Sequence, residues 1–216
     1  PCDLARLDEV EGLPARVEAA LGPVDLLINN AGVDDFQHFE RSDPADIARQ
    51  VQLNLIAPLV LTRLVLPGML DRGQGHVLSM ASTAGLVGTP YGATYSAAKA
   101  GVIAMTNSLC MEFADAPVGF SALCPGFVNG AGMHEAHKAA VGDSPALLGG
   151  TTVDAVVDAA VRIIRDGAPE RIVNSAPLRP LIGLGRAIPP LANRLTRMLS
   201  GQYMQALADH RGGGAG

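Results

Sequence analysis

The sequence predicts an α/β protein built on a doubly wound parallel sheet, and three observations carry that expectation. Residues 24–28 and 118–124 are short, nearly continuous apolar runs, as expected of strands covered on both faces of a parallel sheet. Between such runs lie segments whose apolar residues recur at helical spacing, so that strands and helices alternate along the chain. The first run ends in the small-residue turn Asn29-Asn30-Ala31-Gly32, and open α/β sheets bind ligands beyond the C-terminal ends of their strands.

Composition sets the outer limits. With 216 residues, 48% apolar and 17% charged, the chain has enough material for one globular domain with a sizeable core. A net charge of −5 without a basic tract removes nucleic acid from the expected partners. Cys2, Cys110 and Cys124 are odd in number and lack CxxC or other metal-ligand spacing, which points to reduced thiols in a cytoplasmic protein. The chain opens Pro1-Cys2-Asp3 with neither a methionine nor a leader, which suggests a start in mid-domain. The longest apolar stretch, 53–70, is broken by Asn54, Thr62, Arg63 and two prolines, and reads as a buried helix rather than a membrane span.

Taken in order, Leu7, Val10, Leu13, Val17 and Leu21 mark a first helix that Gly22-Pro23 stops. The strand at 24–28 and its Asn-Asn-Ala-Gly turn follow. Ser42-Asp43-Pro44 then combines a cap residue with a proline at the first turn and starts a helix running through Ile47, Val51, Leu55 and Leu59. Pro58 lies inside that helix and cannot bond the carbonyl of Asn54, so the turn there should open. Residues 73–75 make a turn before a strand at 76–80, where His76 caps the strand end rather than acting as a base. Residues 86–94 form a loop, and a helix at 93–113 carries Ala97, Ala98, Gly101 and Ala104 for close packing. After the strand at 118–124, residues 130–150 are small, polar and glycine-rich and read as a mobile substrate loop. Its His134-Glu135-Ala136-His137 lacks a third ligand and HExxH spacing, so no metal is expected. A helix at 153–164 and a strand at 171–174 complete a domain of residues 1–175. Residues 176–216 form a C-terminal tail whose prolines should break any long amphipathic helix. It reads as a lid or subunit contact rather than a membrane anchor, with a disordered glycine-rich end.

The candidate chemistry sits at 82–99. Tyr95 and Lys99 are four apart in an alanine-rich helical segment and therefore share one helix face. A cation beside a phenol favours the phenolate, so the expectation is a lowered Tyr95 pKa and a proton donor usable near neutrality. Ser82, at the end of the preceding strand, is placed to hydrogen-bond the oxygen that receives the proton. A serine hydrolase built on Ser82 is disfavoured, because neither a GxSxG elbow nor a suitable histidine accompanies it.

Five features in fixed order, LLINNAG (26–32), Asn54 in VQLNLIAP, Ser82, Tyr95-x-x-x-Lys99 and CPGFV (124–128), resemble the classical short-chain dehydrogenase/reductase family from Asp3 to about Asn174. The resemblance implies a Rossmann-type fold and hydride transfer between NAD or NADP and a small-molecule alcohol or ketone. It casts Tyr95 as acid and base, Lys99 as the group that tunes Tyr95 and holds the nicotinamide ribose, and Ser82 as the group that orients the substrate. The Asn54 carbonyl would anchor a relay water. Asp3 and Leu4 would lie near the adenine and Asn29 near its ribose. Ala31, Gly32, Pro125, Gly126 and Val128 would line the cofactor, with Gly130 standing where relatives usually carry a threonine. Two helices of each chain would pair in a homodimer or homotetramer.

The family's TGxxxGxG turn is missing, so the fold is expected to be N-terminally truncated, with its first strands and helices absent, an apolar sheet edge at 24–28 and poor cofactor binding. NAD and NADP both stay open, and the apolar tail favours a hydrophobic substrate. The alternative is a non-catalytic scaffold or inactive fragment, against which the full Asn, Ser, Tyr and Lys set argues.

Overall fold

The computed structural model describes residues 1–212. Its main sheet has four parallel strands in the order β1-β2-β3-β6: β1 (Leu26–Asn29), β2 (Gly75–Met80), β3 (Val118–Pro125) and β6 (Glu170–Val173). The register sets Leu27 beside Val77 and Val77 beside Phe120, so these side chains share one face. There they meet Val65, Leu66 and Met69 of α3 (Ala57–Arg72), while Ala122 and Cys124 meet Val102 and Ile103 of α4 (Ala93–Glu112). Leu78 and Leu123 point the other way, onto Ala159 and Ile163 of α6 (Val153–Asp166). Burial of these apolar faces is the main force closing the layers.

The two faces are not equally covered. Helix α6 packs on β2, β3 and β6. At the sheet's edge, Leu26 and Ile28 are 44% and 48% exposed. The strand expected to be covered on both faces is thus covered on one, where α1 (Leu7–Leu21) and α3 lie, because no described helix reaches β1 from the other side.

Residues Pro44–Arg72 form one 29-residue helix, long and apolar enough to cross a membrane by length and composition alone. Its inner face, including Ala57, Leu61, Thr62, Val65 and Met69, is buried within the protein. Asp43 caps the start by accepting from the Ala45 amide at 2.8 Å, with Pro44 at the first turn. Between α2 (Pro44–Val51) and α3, the opened turn before Pro58 takes the form of a π-turn over Gln52–Ile56. The strand at 118–124 extends one residue, to Pro125, and the helix at 153–164 runs to Asp166 behind a Thr152 cap that accepts from Ala155.

Two expectations need correction. The 130–150 segment is not simply a loop: it contains helix α5 (Met133–Val141), flanked by Gly132 and Gly142 at φ 75° and 89°. Those glycines start and stop a helix whose His-Glu-Ala-His-Lys-Ala-Ala interior supports helical structure. Before and after it, β4 (Val128–Asn129) and β5 (Thr151–Thr152) pair in parallel. Nor do the C-terminal prolines break the tail into short pieces. After α7 (Leu178–Ala187), Pro189 and Pro190 occupy the first turn of α8 (Pro189–Gly212), where no intrahelical amide donor is needed, and a 24-residue helix follows. Thr196, Ser200, Tyr203, Met204 and Leu207 form its buried stripe, and the last three pack on Phe36, Ala84 and Tyr95. The glycine-rich end expected to be disordered, 213–216, lies outside the described residues.

Candidate active site

The sheet brings three loops to one end. Beyond the C-terminal ends of β1, β2 and β3 lies a cavity of about 640 Å³ lined by Asn30–Gly32, by Ser82, and by Pro125, Gly126 and Val128. Helix α4 contributes Tyr95 and Lys99 to it, and α5 and α8 close it from the other side. Ser82 accepts the Ala84 amide at 3.1 Å and so caps the short 3₁₀ turn at Thr83–Gly85. That turn presses on α4, since a Cβ at Gly85 would stand 2.6 Å from the Lys99 carbonyl carbon. The close contact is what holds Ser82 and the Tyr95–Lys99 face together.

Lys99 is buried, donates to the Met80 carbonyl at 2.8 Å, and stands 5.8 Å from the centre of the Tyr95 ring. Its pKa is lowered to about 8, chiefly by desolvation, against which the Asp34 carboxylate raises it. The Tyr95 pKa is raised to about 12, again chiefly by desolvation; the Ser82 hydroxyl works in the opposite direction and the Asp34 charge adds to the rise. This overturns the expected lowering of the phenol's pKa. Lys99 directs its charge to the Met80 carbonyl while burial disfavours the phenolate, and burial is the larger effect.

Asn54 does not line the cavity with its side chain. It is fully buried, donates to the Val33 carbonyl at 2.8 Å and the Gln50 carbonyl at 3.0 Å, and accepts the Val33 amide at 3.2 Å. It therefore fixes the loop after β1 in the way a neighbouring strand would. A Cβ on Gly32 would stand 2.8 Å from the Asn54 Oδ1 and 3.3 Å from the Lys99 Nζ, so only glycine lets loop, amide and ammonium converge. Asn29 is turned inward, donating toward Thr62 and Ser79 at 3.3 and 3.4 Å, while Asn30 faces the cavity. Asp3 and Leu4 lie away from it: Asp3 is exposed and caps a turn by accepting from Ala5, and Leu4 packs on Val10, Ala57 and Leu61.

Several lining residues were invisible to sequence reasoning. Asp34 pairs with His137 of α5 across 3.2 Å, both nearly buried, and Phe36 packs obliquely on Tyr95 with ring centres 6.0 Å apart. The segment 34–38 is also tied to the end of α8, by Asp35 to Arg211 and by His38 to Asp209 at 2.8 Å. The helical spacing of Thr196, Ser200, Tyr203 and Leu207 was the one available signal for α8. His134 and His137 are not joint metal ligands. His134 stacks on Phe127 with ring centres 4.8 Å apart while His137 faces Asp34, and no three potential ligand side chains converge among the described residues. The three cysteines are free, and burial pushes the Cys124 thiol up to about 12, as suits a packing residue.

The donor set suits a nicotinamide riboside. After its bond to Met80, the buried Lys99 ammonium keeps donor capacity for sugar hydroxyls, and small residues on both flanking loops allow close approach.

Comparison with known proteins agrees with this geometry. The short chain dehydrogenase family matches residues 1–141. A ketoacyl reductase, HetN, of Nostoc is 33% identical over 91% of this chain and 69% of its own length. An acetoacetyl-CoA reductase of Rhizobium meliloti is 39% identical over 55% of this chain and 49% of its own, and most of the curated relatives are likewise spanned over about half their length. A metagenomic short-chain oxidoreductase crystallised with NADP superposes with a TM-score of 0.65 at 28% identity, covering 80% of this chain and 71% of that one. The order of the strands, the constellation on α4 and these similarities lead to one assignment: the chain belongs to the short-chain dehydrogenase/reductase family.

Proposed function

We propose that this chain supplies the proton-transfer and substrate half of an oxidoreductase that moves hydride between NAD(H) or NADP(H) and an uncharged alcohol or ketone. The observation that carries the reading is the meeting of Ser82, Tyr95 and Lys99 on one cavity at the C-terminal end of a parallel sheet. The bound nicotinamide supplies or accepts the hydride. In reduction, Ser82 orients the carbonyl oxygen and the Tyr95 phenol gives it a proton as the carbonyl carbon gains hydride; oxidation runs the same transfers in reverse. Lys99 holds the nicotinamide ribose and places a positive charge beside the phenol, while Asn54 keeps the loop carrying Ala31 and Gly32 in place. A non-catalytic scaffold has no use for a buried ammonium, which is costly to desolvate.

Exposed Leu59 and Leu64 on α3 and Met111 on α4 make a two-helix apolar face that supports pairing with a second copy. Reduced thiols support a cytoplasmic setting. The relatives' reductase names favour ketone reduction over a sugar substrate.

The deciding experiment follows nicotinamide absorbance with saturating NADPH or NADH and a panel of ketones, at several protein concentrations. Cofactor oxidation that depends on both ketone and protein is the expected result. Its absence at millimolar cofactor overturns the assignment of activity to this chain.

A further inference from the structure

Two buried polar atoms facing the cavity have no hydrogen-bond partner in the protein. His134 on α5 is 6% exposed with its Nδ1 unpartnered, and Thr196 on α8 is 8% exposed with its Oγ1 unpartnered; both residues line the same cavity as Tyr95. Buried polar groups left without a partner are rare and destabilising, and a pair of them on one cavity wall points to a ligand that completes them. Their neighbours are already engaged. The Ser200 hydroxyl donates to the Thr196 carbonyl at 2.8 Å, and Asp34 and His137 neutralise each other.

The charge of the wall is equally informative. Lys99 is the one lysine or arginine among the described lining residues, and Met80 already engages it. Burial lowers the His134 pKa, which keeps its imidazole neutral and able to offer one donor and one acceptor. Around these two groups the wall is apolar, with Leu148, Val156 and Met204. An anionic substituent placed here would be desolvated without a counter-charge.

We propose that His134 and Thr196 form a specificity subsite that takes a second, uncharged hydrogen-bonding group, a hydroxyl, carbonyl or amide, on an otherwise apolar ketone or alcohol. The assignment deepens the reading of the Tyr95 site as a hydride-transfer centre and rests on it for the word substrate. It does not need turnover to be seen. Ligand occupancy satisfies Nδ1 and Oγ1 together, so the subsite distinguishes compounds by one polar group at constant shape.

The test titrates the full chain calorimetrically with three compounds of one shape: benzylacetone, its para-hydroxy derivative and its para-carboxylate. The hydroxy compound is expected to bind roughly tenfold tighter than the parent, the worth of one completed buried hydrogen bond, and the carboxylate more weakly than either. In Thr196→Val, which preserves the side-chain shape, and separately in His134→Phe, the advantage of the hydroxy compound should shrink toward none. Circular dichroism melting checks that both variants fold. Equal binding of parent and hydroxy compound, preferred binding of the carboxylate, or an advantage that survives both substitutions overturns the subsite. Running the same compounds with NADPH separates the two readings. Selective binding without cofactor oxidation supports the subsite and removes the reaction; turnover of parent and hydroxy ketone at one kcat/KM supports the reaction and removes the subsite.

Discussion

The Lys99 ammonium stands 5.8 Å from the centre of the Tyr95 ring, one helical turn along α4, yet its hydrogen bond goes to the Met80 carbonyl. This orientation leaves the phenol protonated and the ammonium desolvated, two conditions that can be tested separately.

Tyr95→Phe removes the proton donor and little else, because the ring remains packed on Phe36 in the core. Ketone reduction should fall by a factor of about 10² to 10⁴, the usual worth of a positioned acid, with the melting temperature nearly unchanged. Nicotinamide absorbance and a melting curve together check it; full activity in the variant refutes the role of Tyr95.

Asp34→Asn removes a charge that raises the pKa values of both Tyr95 and Lys99. Both should drop. Reduction requires a protonated phenol, so the alkaline limb of the kcat/KM profile should move to lower pH. A profile measured across the alkaline range gives the sign directly, and a shift to higher pH contradicts the assignment.

Lys99→Met replaces a buried cation by an apolar chain of similar length. Lys99 falls from 10.5 in its ordinary state to about 8 in the fold, so the unfolded chain binds more protons between those values and stability rises with pH across them. The charge therefore costs about 3 kcal/mol below pH ~8, and that cost fades as pH passes 10.5. The variant should be inactive but more stable than the parent in urea at pH 7, with the gap closing in alkaline buffer. A variant less stable at pH 7 would show that the Met80 hydrogen bond outweighs desolvation.

Gly32→Ala places a methyl 2.8 Å from the Asn54 Oδ1 and 3.3 Å from the Lys99 Nζ. One of the two must move. The expected outcome is a loss of about 1–3 kcal/mol in stability together with weakened cofactor binding, checked by denaturation and NADPH titration.

Leu26→Lys acts at the sheet edge, where Leu26 and Ile28 of β1 are largely exposed. A charge on an apolar edge blocks pairing with another chain, so the variant should aggregate more slowly by light scattering at an unchanged melting temperature.

The chain's own pattern determined most of the architecture. Apolar runs at 24–28, 76–80 and 118–124 became parallel strands because their side chains are buried by local alternation with helices. Tyr95 and Lys99 were legible as a pair because helical geometry alone puts residues four apart on one face. Helix α5 was hidden by flanking glycines that proved to be its ends, and α8 by prolines that proved to be its start. Only tertiary packing decided that Asp34 would meet His137, that His134 and Thr196 would share a wall, and that the Tyr95 phenol would be raised rather than lowered. Those outcomes depend on which distant segments exclude water from the site. Desolvation belongs to the assembled layers and to no local stretch of the sequence, which is why residue spacing could identify the pair on α4 but not its state of charge.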